Sequence, residues 1–146
     1  MNIIGPDKLI FGVDDVAACK PFALDYGLEA KDEHNFVALD GTGIEIRAKE
    51  DTGLPAGLKS GSMLRKTIYG VADQATLDAI KAELSKDREV ISLEDGTIEA
   101  VDDVGFVLGF QVTIRKAIDL PAETINAPGA APQRGVNLVG VSKDFT

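Results

Sequence analysis

The pattern of apolar and polar positions repeats once along the chain. Residues 8–15 read KLIFGVDD and residues 66–73 read KTIYGVAD, so a lysine, an isoleucine, an aromatic residue, Gly-Val and a closing aspartate recur 58 residues apart. Each copy is typical of a half-buried strand that runs into an acidic helix cap. A repeat of this length predicts two similar supersecondary units that pack against each other.

The first unit begins with a strand predicted over residues 7–13. Asp14 or Asp15 then caps a helix that is expected to run to about Tyr26. Residues at three- and four-residue spacings give this helix one apolar face: Val16, Cys19, Phe22 and Tyr26. Pro21 lacks a backbone N–H, so we expect the regular helix to begin late and its start to be irregular.

The second unit follows the same order. A strand is predicted over residues 63–71, and Asp73 caps a helix to about Lys86 with Leu77, Ile80 and Leu84 on its buried face. Three short strands follow each helix, predicted at residues 28–33, 35–39 and 43–49 and again at 89–93, 97–101 and 106–114. Asp-Gly pairs at 40–41 and 95–96 indicate tight turns between strands.

The predicted fold class is therefore α+β, with two β-α-β-β-β modules at about residues 7–49 and 63–115. Together they form one domain over residues 1–115, and the Gly- and Pro-containing residues 50–62 connect them. Residues 116–146 contain three prolines and an Ala-Pro-Gly-Ala-Ala-Pro run, a composition typical of an extended linker or tail.

Composition excludes several function classes. The net charge of −9 argues against nucleic acid and against an anionic membrane surface, both of which call for clustered lysine and arginine. Cys19 is the only cysteine, so the chain cannot form an internal disulfide. The N-terminal residues show no basic stretch followed by an apolar run, and we expect a cytoplasmic protein.

The repeated opening, I-F-G-V-D-D at residues 10–15, and the strand count after it resemble the vicinal oxygen chelate superfamily. This superfamily includes glyoxalase I, bleomycin-resistance proteins and extradiol ring-cleaving dioxygenases. The resemblance covers about residues 7–115. It implies that each half contributes a curved sheet, and that the halves close into an incomplete barrel around a cleft that holds a divalent metal.

The resemblance also implies where metal ligands would lie. The family takes them from the first residue of each opening strand, usually histidine, and from a carboxylate in each last strand. The corresponding residues here are Lys8, Lys66, Glu45 and Gly109, so one family ligand of four remains. A two-histidine, one-carboxylate iron centre needs two imidazoles, whereas His34 is the only histidine and is expected in a surface loop. We therefore predict no metal and no catalytic residue in this chain.

Lys8, Glu45 and Lys66 then have two interpretations. The first is an ion-pair cluster that fills the former metal position, with two cations flanking one carboxylate. The second is an anion pocket for a carboxylate or an enolate, which would use the surplus positive charge. The sequence favours the ion-pair cluster, because nothing else near these residues is typical of a binding site.

The sequence favours the non-catalytic N-terminal module of a two-domain extradiol dioxygenase that acts on a catechol-type aromatic. On this hypothesis Fe(II) is expected only in a downstream domain. The alternative is a stand-alone, metal-free protein of the resistance type that binds a small aromatic molecule. A third hypothesis, a glyoxalase-type isomerase or lyase, would need metal ligands completed across a dimer. In each case a second glyoxalase-like domain or a homodimer partner is expected to cover the exposed sheet edges.

Overall fold

A computed structural model describes residues 2–58 and 63–119 and two short strands further on. The first module contains β1 (Ile3–Val13), α1 (Val16–Asp25), β2 (Glu29–Ala30), β3 (Asn35–Val37) and β4 (Gly43–Ala48). The second contains β5 (Leu64–Val71), α2 (Gln74–Leu84), β6 (Val90–Ser92), β7 (Ile98–Val101) and β8 (Val107–Val112). The predicted α+β class with two β-α-β-β-β modules is confirmed.

The eight strands form one sheet in the order β2-β3-β4-β1-β5-β8-β7-β6. Each opening strand pairs in parallel with the last strand of its own module, β1 with β4 and β5 with β8. The two opening strands pair with each other in antiparallel fashion at the centre. The order of strands is therefore the same in both modules when it is read outward from this central pair.

The second helix matches its prediction. Asp73 is the N-cap, and its carboxylate accepts a hydrogen bond of 2.7 Å from the backbone N–H of Thr76. Leu77 and Ile80 are buried, and they form the core of this module with residues from the sheet such as Phe110. An apolar stripe at helical spacing thus produced the expected contact with the sheet.

The first helix differs from its prediction in two ways. Asp15 caps it and accepts from the Ala18 N–H at 2.9 Å, so the helix begins at Val16 and Pro21 lies inside it. The expected late start was wrong, because the cap fixes the first turn upstream of the proline. Ala23 is the one buried side chain of this helix, although the spacing had placed larger residues on its apolar face.

Strand bounds differ by a few residues from those predicted. β1 begins at Ile3 rather than at residue 7, and the short outer strands are two to four residues long. Both predicted Asp-Gly turns are present, with Gly41 at φ +86° and Gly96 at φ +88°. Glycine suits these turns because it adopts positive φ without steric cost.

Asp7 joins the two ends of the domain. Its side chain is 1% exposed and accepts hydrogen bonds from Gln111 Nε2 at 3.1 Å, Thr113 Oγ1 at 3.0 Å and the Ile114 backbone N–H at 3.0 Å. Arg115 Nε lies 3.5 Å from the same carboxylate. The segment that leaves β8 is thereby fixed against β1.

The predicted linker falls mostly outside the described residues. Beyond residue 119 the structure describes only β9 (Glu123–Thr124) and β10 (Gln133–Arg134), which pair in antiparallel fashion. Among the helices that the structure describes, none is long and apolar enough to cross a membrane.

Candidate functional site

The sheet has one face that carries both helices and one that does not. Lys8 pairs with Ile68 and Ile10 pairs with Lys66 in the central register, so these four side chains share a face. The side chains that pack against α2, among them Val71 and Phe110, belong to the alternate positions and point the other way. We call the first surface the helix-free face; it carries the residues that the family resemblance singled out.

In the first module the helix-free face holds a polar network around Glu45. Lys8 Nζ lies 3.4 Å from Glu45 Oε2 and donates to Asn35 Oδ1 at 3.1 Å. Glu45 Oε1 accepts from Arg47 Nε at 2.5 Å. Glu45 is 12% exposed, whereas Lys8 and Arg47 are 32% and 35% exposed. Both carboxylate oxygens of Glu45 are therefore engaged by cations.

The network extends at both ends. Arg47 Nη1 donates to Asp51 Oδ2 at 3.0 Å, and Glu45 raises the pKa of the Arg47 guanidinium. The Asp51 pKa is lowered, first by the hydrogen bond from the Gly53 backbone N–H and then by Arg47. Glu45 and Asp51 thus hold the Arg47 guanidinium between them.

At the other end, Asn35 links Lys8 to Asp32. Asn35 Nδ2 donates to the two Asp32 oxygens at 2.9 and 3.1 Å. The pKa of Asp32 is lowered, first by the His34 backbone N–H and then by the backbone and side chain of Asn35. Asp32 is therefore a carboxylate that holds Asn35 in the orientation in which its oxygen faces Lys8.

In the second module Lys66 has a different partner from the one predicted. Its Nζ lies 2.6 Å from Glu99 Oε1, and each of the two side chains is 16% exposed. The expected three-residue cluster of Lys8, Glu45 and Lys66 was wrong in this respect. The structure forms two separate pairs, Lys8–Glu45 and Lys66–Glu99, because each module supplies its own carboxylate.

The strand register explains where these carboxylates come from. Asn35 on β3 faces Glu45 on β4, and Glu99 on β7 faces Gly109 on β8. Glu99 and Asn35 thus hold equivalent positions, as do Gly109 and Glu45. The acid of the second module thus lies one strand further from the centre of the sheet than Glu45 does in the first.

Sequence reasoning missed three residues of this site: Glu99, Arg47 and Asn35. Each is a polar residue that alternates with apolar neighbours in a predicted strand, as in Ile98-Glu99-Ala100. That alternation marks the face opposite the helices. It does not identify the lysine that each residue meets, because that depends on the register of neighbouring strands.

The lone histidine makes no hydrogen bond to either lysine pair, and its ring contacts the backbone of β4. His34 Nδ1 is 3.0 Å from the Ile46 carbonyl oxygen, and the His34 carbonyl accepts from the Ile46 N–H. Over residues 2–58 and 63–119 no group of three His, Cys, Asp or Glu side chains is arranged to hold a metal ion. At the positions implied for metal ligands the structure instead has ammonium groups bound to carboxylates.

Comparison with known proteins gives a result at the level of structure. No protein-family model matches the sequence, and no curated protein matches it. An extradiol ring-cleaving dioxygenase from B. fuscum superposes with a TM-score of 0.59 at 17% identity, over 80% of this chain and 34% of that one. The chain shares the fold of this dioxygenase.

Two further solved structures agree with this fold assignment. The Mn(II)-bound glyoxalase from Novosphingobium aromaticivorans has a TM-score of 0.56 at 17% identity, over 82% of this chain and 43% of its own. A catechol 2,3-dioxygenase has a TM-score of 0.56 at 15% identity, over 77% and 41%. The chain thus spans less than half the length of these structures. At this identity the likeness establishes the fold alone.

Proposed function

We propose that this chain is a non-catalytic module with the vicinal oxygen chelate fold, and that it forms the N-terminal part of an extradiol dioxygenase acting on a catechol-type aromatic. The observation that carries the proposal is the pairing of Lys8 with Glu45 and of Lys66 with Glu99 on the helix-free face. These lysines occupy the opening-strand positions at which the family resemblance implies metal ligands.

A divalent metal does not fit these residues. A lysine can ligate only after it loses its proton, whose ordinary pKa is about 10.4. Each lysine instead donates to a carboxylate, Lys8 to Glu45 and Lys66 to Glu99. A metal would also bring a double positive charge next to Lys8, Lys66 and Arg47. The residues therefore favour ion pairs over a metal centre.

The same contacts argue against an anion pocket. Lys8, Arg47 and Lys66 contact three carboxylates, those of Glu45, Asp51 and Glu99. The surplus positive charge expected from the sequence is balanced within the network. An incoming carboxylate or enolate would have to displace one of these partners, which supports a structural role for the network.

The N-terminal placement is supported by the extent of the structural likeness. Two of the solved structures with this fold carry dioxygenase names, and this chain spans about a third to two-fifths of each. A module of this size accounts for one pair of β-α-β-β-β units. In such a protein the iron and its histidines would belong to a second pair, and this module would serve as scaffold.

The reading frame downstream of Thr146 tests this placement. We expect a second pair of β-α-β-β-β units, with histidine at the start of both opening strands and a carboxylate in a last strand. In the full-length protein, Lys66→Met should leave kcat/KM for a catechol within about threefold of wild type. Replacement of a downstream opening-strand histidine by alanine should abolish activity. A stop codon at that point, or a downstream region without these histidines, would exclude the proposal.

A reconstruction experiment tests the displaced metal site separately. The double variant Lys8→His/Lys66→His, together with Glu45, restores two imidazoles and one carboxylate. We expect it to bind about one Mn²⁺ or Zn²⁺ per chain. The matched control Lys8→Gln/Lys66→Gln removes the same charges without adding imidazoles and should bind none. Equal binding by both variants, or none by the histidine variant, would show that these positions are not the former metal position.

A second function is a stand-alone protein that binds a small aromatic molecule without a metal. One observation favours it, namely an apolar cavity on the helix-bearing face of the first module. A downstream reading frame that ends at residue 146, combined with saturable ligand binding, would select this function over the first.

A further inference from the structure

The two helices cover the sheet unequally, and the internal repeat allows a position-by-position comparison. The caps Asp15 and Asp73 are 58 residues apart, as are the opening strands. With this offset Cys19 of α1 corresponds to Leu77 of α2 and Phe22 corresponds to Ile80. Tyr26 corresponds in the same way to Leu84.

The equivalent residues are packed very differently. Leu77 and Ile80 are 3% and 4% exposed, because they fill the space between α2 and the sheet. Phe22 and Tyr26 are 75% and 71% exposed. Cys19 has a much smaller side chain than the leucine at its equivalent position. The first module has its own core, in which Val13, Ala23, Phe36 and Ile46 are buried, but these α1 positions leave space against the sheet that Leu77 and Ile80 fill under α2.

A cavity of about 600 Å³ occupies this region of the first module. Its walls are mostly apolar and come from the two parallel strands and from the helix: Leu9, Phe11, Ile44, Ile46, Cys19 and Phe22. Pockets that bind small molecules have volumes of roughly 300–1,000 Å³ and mainly hydrophobic and aromatic walls. The cavity has the size and lining of such a pocket.

Polar residues border the cavity at one end, but their functional groups are engaged within the protein. The Lys8 ammonium contacts Asn35 and Glu45. The Asp7 carboxylate accepts from Gln111, Thr113 and Ile114. The Thr42 hydroxyl lies 2.6 Å from Asp40 Oδ1. No charge among these groups is available to compensate a charged ligand.

We propose that this cavity is a binding site for a compact, neutral aromatic molecule. The ligand would pack between α1 and the β1–β4 strand pair, with Phe22 and Tyr26 beside it, and would take the place of the side chains that α2 provides in the second module. A charged ligand is disfavoured, because burial of an unpaired charge is costly. The site lies on the opposite face of the sheet from Lys66 and Glu99. It deepens the second function proposed above, the binding of a small aromatic molecule, and does not depend on the first, the N-terminal module of a dioxygenase.

Indole is a suitable probe, and indole-3-carboxylate is its charged counterpart. We expect saturable binding of indole to the wild-type chain in calorimetry, with a rise in unfolding temperature that follows ligand concentration. Indole-3-carboxylate should bind at least about tenfold more weakly. Equal affinity for the two probes would overturn the assignment of a neutral ligand.

Three variants locate the site. Phe22→Ala removes an aromatic wall and should weaken indole binding by about threefold to tenfold. Cys19→Leu restores the residue type of the second module, places a larger side chain on the cavity wall and should weaken indole binding. Leu24→Ala is the matched control, since Leu24 is a 45% exposed residue of the same helix that does not line the cavity. It should leave indole affinity unchanged.

Three results would overturn the proposal. The first is the absence of saturable indole binding to the folded wild-type chain. The second is binding that Phe22→Ala and Leu24→Ala change to the same extent. The third is a concentration-dependent dimer in sedimentation velocity that Phe22→Ala dissociates, which would assign this face to a second copy of the chain. The downstream reading frame has no bearing on these measurements, so this proposal and the dioxygenase-module function fail independently.

Discussion

The pair formed by Lys66 and Glu99 makes a sharp prediction about stability. The two side chains lie on β5 and β7 of the second module, are each 16% exposed and are separated by 2.6 Å. We consider the variants Lys66→Met and Glu99→Met and the double variant that carries both. Methionine approximates the length of either side chain without its charge.

The magnitude follows from burial. Two opposite charges at 4 Å attract by about 4 kcal/mol at an effective dielectric constant of 20, and desolvation of each ion costs several kcal/mol. The net contribution of the intact pair is therefore small. Removal of one partner of a fully buried pair costs about 3–5 kcal/mol. Because both side chains retain some exposure, we expect about 2–3 kcal/mol for either single variant, or a fall in Tm of about 8–12 °C.

The assay is chemical denaturation of all four proteins, which gives a double-mutant cycle. The double variant should be more stable than either single variant, with a coupling energy of about 1–3 kcal/mol. The matched control is the cycle of Glu83 and Lys86, which lie at a similar distance of 2.5 Å but are 57% and 67% exposed. That pair should couple by less than about 0.5 kcal/mol.

One result would refute this reasoning. If the Lys66–Glu99 cycle gave a coupling energy as small as that of Glu83 and Lys86, the pair would not be held in a partly desolvated position. The lysine at the opening-strand position would then be an ordinary surface residue. It would then give no support to the claim that a fixed ion pair lies where the family resemblance implies a metal.

Four further variants test other features of the fold. Gly70→Ala would place a methyl carbon 2.6 Å from the Cγ of the buried Asp7 and should lower the free energy of unfolding by about 2–4 kcal/mol. Gly109→Ala would place its methyl carbon 3.1 Å from the Ile68 side chain and should lower it by less. Chemical denaturation measures both changes. Folding lowers the pKa of Asp73, mainly through the hydrogen bond from the Thr76 backbone N–H. The stability that this carboxylate contributes is therefore present above about pH 4 and is lost as the pH falls below that value. Asp73→Asn retains a capping acceptor and should flatten the pH dependence of the unfolding midpoint below pH 4 while leaving neutral-pH stability nearly unchanged. Cys19→Leu should raise the free energy of unfolding by about 1 kcal/mol because it fills apolar space, and a fall in thermal denaturation midpoint would contradict this.

The fold could be predicted because its signals are local and occur twice. The strand that ends in Gly-Val and the acidic cap after it specify one β-α unit, and the Asp-Gly turns separate the strands that follow. The equivalent positions of Lys8 and Lys66 in the two opening strands were also local information. Each of these features can be recognised from the sequence within about 15 residues of its position.

The partners of those lysines could not be predicted in the same way. Glu99 reaches Lys66 because β7 pairs with β8, and β8 pairs with β5, so two registers decide the contact. The exposure of Phe22 could not be predicted from the sequence for a similar reason. Its spacing places it on the apolar side of α1, but how closely a helix approaches the sheet depends on all the side chains between them. Contacts that depend on several elements at once cannot be predicted from a local sequence pattern.

Metal binding by the wild-type chain tests the central claim most directly. The purified chain would be incubated without oxygen with Fe(II), and separately with Mn²⁺ and Zn²⁺, passed over a desalting column and assayed for metal content. We expect a metal content well below one ion per chain with Fe(II), with Mn²⁺ and with Zn²⁺. One ion retained per chain, lost in Lys8→Gln/Lys66→Gln, would contradict it.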